Sequence, residues 1–288
     1  MKTNQKKAWP FLAPTIIFVT FFSIYPILRT FVMSFQSGSL INLSWSGLSN
    51  YQYLFKDPEF WLAIKNTALY ALISVPIGLA ISILLAWIIF SKVKHKSFFE
   101  TTFFMPYVTS TIAIGIVFRY IFNGDYGLLN FVLRCLHLPA PNWIDDPSMS
   151  LTTIIIFGIW TSLAFNIVIL MGALRNIDPN FYTVADMYGA SGAEKFWRIT
   201  MPELIPTLAF LLTMNIIGAF KVYTSVYALF NGQAGVGNSG TTAVFYIYNK
   251  FQIVGTPGVA MAATVVLFII ILFITFLQRK MMKKIGEN

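Results

Sequence analysis

The sequence predicts an all-α integral membrane protein with six transmembrane helices and both termini in the cytoplasm. Three observations carry that expectation. Hydrophobic residues fill 57% of the 288 positions and charged residues only 11%, against about 25% charged in a soluble domain. Six stretches are apolar over the length of about 20 residues that a spanning helix needs. Lysine and arginine are concentrated in every second connecting segment, the asymmetry that sets membrane orientation.

The first apolar run, residues 11–35, follows Lys2, Lys6 and Lys7 and resembles a signal peptide. It is too long for a typical signal h-region, and no small-x-small cleavage site follows, so an uncleaved first span is expected. The other spans fall at 64–90, 99–122, 150–174, 205–229 and 257–278. With the N-terminus inside, the inner segments hold 13 of the 20 Lys and Arg residues: Lys2, Lys6 and Lys7, then Lys92, Lys94 and Lys96, then Arg175, Lys195 and Arg198, and finally Arg279, Lys280, Lys283 and Lys284. An even number of spans returns the C-terminus to the same side. This divides the chain into a first span with its outer loop (1–63), a membrane core (64–278) containing a long inner loop at 175–204, and a basic cytoplasmic tail (279–288). The outer loops, about 36–63, 123–149 and 230–256, are rich in Gly, Asn, Ser and aromatic residues. Short interfacial helices are expected at 50–55 and 127–136. Pro14, Pro26, Pro76 and Pro106 lie within spans and Pro206 opens the fifth, each removing a backbone donor and permitting a kink.

The net charge of +9 sits in short clusters beside apolar runs, a topology pattern rather than a nucleic-acid surface. A single cysteine, Cys135, allows no disulfide framework and no cysteine metal cluster. His95 and His137 have no second ligand at metal spacing. No phosphate-binding Walker loop occurs, so ATP hydrolysis is not expected in this chain. No acidic residue lies in the middle of a span, which disfavours a proton- or sodium-coupled carrier and a membrane-embedded enzyme.

The longest polar interruption of the apolar second half is YTVADMYGASGAEKFWRITMP (182–202). Pro179 starts a helix whose Phe181, Val184, Ala185 and Tyr188 recur at helical spacing. Gly189 permits a tight or left-handed turn. Ser191 and Glu194 have capping-box spacing. Phe196, Trp197 and Ile199 form a second apolar face that Pro202 is expected to close. Such an elbow suits docking into the groove of a soluble partner, or lying on the inner membrane face.

Ala185, Gly189, Ala190, Phe196, Ile199, Thr200 and Pro202 give this segment a resemblance to the EAA loop of ABC-transporter permeases. NYQYLF (50–55), DPEFW (57–61), Asn66-Thr67, FFMPYV (103–108), YGLLN (126–130), WIDDP (143–147), GALRNID (172–178), TTAVFYIYNKF (241–251) and Gly258-Val259-Ala260 resemble the carbohydrate-importer subgroup, its MalF-like member in particular. The likeness covers about residues 47–278. Thr183, Val184 and Tyr188 stand where the family has Glu, Ala and Asp, and NGQAG (231–235) replaces its Gly-Gly-Pro. The resemblance implies a type I ABC importer permease fold and a transport subunit that is not itself an enzyme. Its implied partners are a second, homologous permease forming a heterodimer and a dimeric ATPase, which carries the ATP and Mg. An extracytoplasmic binding protein then delivers a sugar, in a bacterial or archaeal inner membrane. It implies a coupling role for Tyr182, Ala185, Asp186, Gly189, Ala190, Phe196, Ile199 and Pro202.

Two helix faces complete the expectation. Asn215, Gly218, Ala219 and Val222, followed by Tyr223, lie on one side of the fifth span. Gly158, Thr161, Ser162 and Phe165 do so on the fourth. By the resemblance these positions line a central substrate pathway, although small and polar residues at such spacing also pack helices together. Lys221 is expected to snorkel to the outer surface or to pair with a partner, and not to bind substrate. Permeases for glycerol phosphate or a polyamine remain alternatives, an anion calling for Arg or Lys in the cavity.

Overall fold

The computed structural model describes residues 9–94 and 96–286. Lys2, Lys6, Lys7, His95 and the last two residues of the basic tail lie outside the described residues. The described chain is predominantly helical. Helix α1 (Trp9–Val19) continues through a π turn (Thr20–Ile24) into α2 (Tyr25–Met33). A two-stranded antiparallel hairpin follows, β1 (Gln36–Gly38) and β2 (Leu43–Trp45), with Gln36 opposite Trp45. This corrects the all-α expectation. Gly38 takes φ +120, a conformation only glycine adopts freely, and starts the connection between the strands. Helix α3 (Ser49–Lys56) and the long α4 (Pro58–Lys92) come next. Pro76 does not break α4.

The third expected span is two helices, α5 (Lys96–Val108) and α6 (Thr111–Ile121), bent by 99°. Pro106 withdraws a backbone donor from α5, and Ser110 leaves the helical region at ψ 123. The chain then forms α7 (Leu128–Cys135), α8 (Ser150–Asn176), α9 (Pro179–Met187) and α10 (Gly192–Lys195). A second π turn (Phe196–Thr200) leads into α11 (Met201–Phe220), which is followed by α12 (Thr224–Leu229), α13 (Ala243–Tyr248), a third π turn (Asn249–Ile253) and α14 (Pro257–Gly286).

Among the described residues, five helical stretches are long and apolar enough to cross a membrane, or six with the bent α5–α6 pair taken as one. The fifth differs from expectation. It runs unbroken over Gly192–Phe220, so Pro202 does not end the elbow. Pro202 has no N–H to offer, and the preceding turn is widened: Met201 donates to the Phe196 carbonyl, five residues back, and the Thr200 hydroxyl donates to the Lys195 carbonyl at 3.3 Å. The expected continuation to 229 fails at Lys221–Tyr223, where the helix stops before α12.

The chain divides into two compact units, one within residues 1–61 and 246–270, the other within 62–245 and 271–288. In the first, Asn50 is buried and donates to the carbonyls of Ser34 and Gln36, 2.9 Å each, tying α3 to the hairpin. In the second, α8 is the central element, packed against α5, α11 and α12 through fully buried Ile154, Ile167 and Leu170. Asn66 on α4 donates to the carbonyls of Ser239 and Thr241 at 2.8 and 3.0 Å. Thr67 accepts from the Ala243 N–H at 2.8 Å. The Asn66-Thr67 pair thus anchors the connection between α12 and α13.

Candidate functional site

A cavity of about 460 Å³ opens within the second unit, between α4, α5, α8 and α11. Gly158, Thr161, Ser162, Phe165, Asn215, Gly218, Ala219, Val222 and Tyr223 all line it. Tyr70, Ser74, Tyr107, Thr111 and Lys221 complete much of the wall. The first group is the set that the family resemblance implied, with Val222 and Tyr223 lying just beyond α11. The second required knowing which helices are neighbours. Lys221, the C-cap of α11, is exposed and lines the cavity wall.

The small residues on this wall do two different things. A Cβ at Gly158 would collide with the Tyr70 ring, so Gly158 is also a packing residue that lets α4 approach α8. At Gly218 a Cβ would meet nothing within 4 Å, so no neighbour demands glycine there and the position leaves the wall open. Thr161 and Ser162 donate to the carbonyls of Gly158 and Ile159 at 3.0 and 2.8 Å, which leaves their oxygens available as acceptors. Phe165 stacks on Tyr107 with ring centroids 5.6 Å apart. The lining thus offers hydroxyls, an amide and aromatic faces, with Lys221 and the apolar Val75, Met214 and Val222 beside them, a mixture suited to a small polar solute with an apolar face.

Asn215 is not free to serve a ligand alone. Its amide donates to Asn166 Oδ1 at 2.8 Å and to the Leu211 carbonyl at 2.7 Å, and Asn166 is fully buried. The resemblance noted above implies that Asn215→Ala lowers transport while ATPase stimulation by the binding protein persists. The substitution also orphans Asn166, a cost of about 1–3 kcal/mol. The Asn166→Ala/Asn215→Ala double variant removes the orphan; uptake kinetics unchanged in that variant would take Asn215 off the pathway.

The elbow is a separate site. Asp178 caps α9, accepting from the Asn180 N–H at 2.9 Å. Gly189, at φ +71, ends it: Gly189 donates to the Asp186 carbonyl at 3.0 Å and Ala190 to the Ala185 carbonyl at 2.9 Å, a Schellman termination. Ser191 then caps α10 in a capping box, with its backbone N–H on Glu194 Oε2 at 2.8 Å. Asp186 pairs with Lys195 at 2.5 Å, bracing the two arms. An exposed pair of this kind contributes about 0.5 kcal/mol, so its value is geometric.

The elbow has an inner and an outer face. Tyr182, Ala185, Ala190, Phe196 and Ile199 are partly buried, with the Tyr182 and Thr200 hydroxyls 2.9 Å apart. Trp87 of α4 packs on Phe196 and Tyr182, with centroids 5.3 and 6.4 Å away. Outside, Phe181, Val184, Met187, Tyr188 and Trp197 remain exposed, Tyr188 by 88%, as does Pro202. Arg175 at the end of α8 pairs with Glu100 of α5.

A third cluster, in the first unit, joins two of the motifs quoted above, DPEFW and TTAVFYIYNKF, whose pairing no spacing in the sequence reveals. Lys250 Nζ lies 3.0 Å from Asp57 and 3.2 Å from Glu59, and Tyr246 donates to Asp57 at 2.8 Å. The Lys250 and Asp57 side chains are 9% and 10% exposed. Burial opposes the Asp57 charge, but donation from Tyr246 and Lys250 outweighs it and holds the carboxyl below its usual range. Burial likewise opposes the Lys250 charge, yet its two carboxylates raise its pKa.

An apolar helical assembly with an open polar cavity, plus an exposed two-helix elbow braced against its own helices, defines a membrane transport subunit. The chain belongs to the family described as binding-protein-dependent transport system inner membrane component, which it matches over residues 75–286. It is 34% identical to the arabinooligosaccharides transport system permease protein AraP of Bacillus subtilis, over 96% of this chain and 89% of that one. It is 33% identical to the lactose transport system permease protein LacF of Rhizobium radiobacter, covering 94% and 92%. A bacterial ABC transporter that imports the acidic polysaccharide alginate has a chain of the same fold, with TM-score 0.83, 25% identity and 97% of both chains covered. The type I importer permease fold is thus shared over nearly the whole chain.

Proposed function

We propose that this chain is one permease of an ATP-driven sugar or oligosaccharide importer. The observation that carries the proposal is the cavity of hydroxyls, amide and aromatic rings, in a chain whose relatives are named for arabinooligosaccharides and lactose. Each half of the bent pair, 13 and 11 residues long, rises only about 20 Å or less at 1.5 Å per residue, short of a hydrocarbon core of about 30 Å. Taking the pair as one broken span gives six spans with both termini cytoplasmic. The elbow then faces the cytoplasm, where its exposed apolar face is available to a dimeric ATPase that holds the ATP and Mg. A second, homologous permease completes the pathway, and an extracytoplasmic binding protein supplies the sugar.

Reconstitution with the neighbouring permease, ATPase and binding protein, followed by uptake over a panel of sugars, tests this directly. Lactose or a short arabino-oligosaccharide is expected to be imported in an ATP-dependent manner. Lys221 on the cavity wall favours one second reading, an anionic solute such as glycerol phosphate, and transport of that solute but no neutral sugar would select it.

Trp87 supplies the contact through which elbow motion reaches α4. Trp87→Ala removes three aromatic pairs, one with Phe90 of its own helix and two with the elbow residues Tyr182 and Phe196, each worth about 1 kcal/mol. It is expected to lower uptake several-fold, by roughly the factor that 1–2 kcal/mol implies, with the ATPase still co-purifying. Uptake at the wild-type rate would exclude Trp87 from transmission.

A further inference from the structure

Two of the sequence motifs, YGLLN (126–130) and WIDDP (143–147), take no part in the main cavity or the elbow. They meet at a second concavity of about 360 Å³, formed by the C-terminal end of α6, the connections flanking α7, and Asn231. Ile116, Arg119 and Tyr120 line it from one face of α6, as the spacing i, i+3, i+4 requires.

The opposite wall is held rigidly. Asn123 Oδ1 accepts from the N–H groups of Asp125 and Tyr126 at 2.9 and 3.1 Å. Asn130 is fully buried. It donates to the carbonyls of Gly124 and Pro141, 2.9 Å each, and accepts from Trp143 Nε1 at 2.7 Å. Arg134 donates to the Gly124 and Asp125 carbonyls at 2.7 and 3.0 Å. Both motifs are thereby locked to one another through Asn130, and a ligand binding there has little loop ordering to offset.

What the wall offers is specific in chemistry. Tyr120 and Tyr126 are exposed by 63% and 70%. Arg119 and Asp145 line the same concavity, yet no ion pair joins them, and neither has an ion-pair partner among the described residues. A fork of donors and a fork of acceptors left apart in one concavity suit a ligand that carries both functions on adjacent atoms. Vicinal sugar hydroxyls do so, and a sugar ring has an apolar face for tyrosine. A ligand carrying charge of one sign would satisfy one group and be repelled by the other. The volume lies at the small end of the range for ligand sites, about 300–1,000 Å³, which fits a single sugar unit. Helix α6 also connects the two sites: Thr111 lines the main cavity and Arg119 the second, about 12 Å apart along the helix axis.

We infer that this concavity is an entry subsite that holds one sugar unit between the binding protein and the main cavity. The inference rests on the sugar-importer reading. The test uses the whole reconstituted transporter with lactose and a short arabino-oligosaccharide as probes, and measures sugar imported per ATP hydrolysed. The isosteric variant Asp145→Asn and the shorter, uncharged Arg119→Gln are used singly, so that each group is tested alone, the first without change of volume. In each, the sugar-to-ATP ratio is expected to fall about tenfold, the loss of one charge-assisted hydrogen bond, while binding-protein-stimulated ATPase changes less than the ratio does. A ratio that stays constant while uptake and ATPase stimulation fall together would make the surface a docking site for the binding protein and overturn the subsite. Wild-type behaviour in both variants would overturn it as well. Failure of the unmutated transporter to import any sugar would instead sink the importer reading, and the subsite with it.

Discussion

A transporter carrying Gly189→Leu is expected to reach the membrane in normal amount and to lose nearly all ATP-dependent uptake. Gly189 sits at φ +71 with nothing within 4 Å of the place a Cβ would occupy, so the cost is one of backbone conformation and not of crowding. For an L-residue other than glycine that conformation costs about 1–2 kcal/mol. The strain falls on the single residue that sets the angle between α9 and α10, and therefore between the exposed face of Phe181, Val184, Met187 and Tyr188 and that of Trp197. The membrane helices are untouched, so insertion survives. Asparagine tolerates the left-handed region, so Gly189→Asn is expected to retain much of the activity. Co-purification of the ATPase and uptake in vesicles measure both variants. Normal uptake by the leucine variant would remove the elbow from coupling.

Lys250→Met is expected to destabilise the solubilised transporter by roughly 3 kcal/mol, because it leaves two carboxylates beside an apolar side chain. Asp57 is nearly as buried as Lys250, and only the neutral donors Tyr246 and the Glu59 backbone N–H would still reach its side chain. The effect has a defined pH dependence. With its pKa depressed in the folded protein, Asp57 contributes stability that is present above the unfolded carboxylate value of about 4. That contribution is lost as the pH falls through the lower, folded value. In the variant, protonation of Asp57 relieves the unpaired charge instead. The melting difference between the two proteins should therefore be full at neutral pH and shrink in acid. A difference that is absent at pH 7, or grows on acidification, would show that the cluster does not hold the first unit together.

The six apolar runs were legible because a membrane helix announces itself by length and composition. The capping box at Ser191 and Glu194 and the turn at Gly189 were legible because each is a local device. Breaks that depend on one residue's conformation were not. Ser110 bends a run that reads as continuous, and Pro202, which reads as a stop, is absorbed by a wider turn. On α8 and α11 a face can be counted along one helix, but it was the family resemblance that marked that face as cavity wall and not as helix packing. The wall was not legible on α4 and α5, because Tyr70 and Tyr107 join only once their helices are placed beside α8. Lys250 shows the same limit in sharper form. Its partners lie 193 and 191 residues away in sequence, and nothing near it in the chain marks it as buried.

A π turn contains one residue more than a helix needs. The turn at Phe196–Thr200 lies between the elbow and the cavity face that carries Asn215 and Gly218. Each helical residue advances about 100°, so deleting one residue there and restoring a regular helix would rotate the elbow by roughly a quarter turn about the axis relative to the cavity. The orientation of one working surface against the other is thus counted in whole residues. Sequence drift by substitution leaves that phase intact, whereas gain or loss of a single codon between Phe196 and Thr200 resets it.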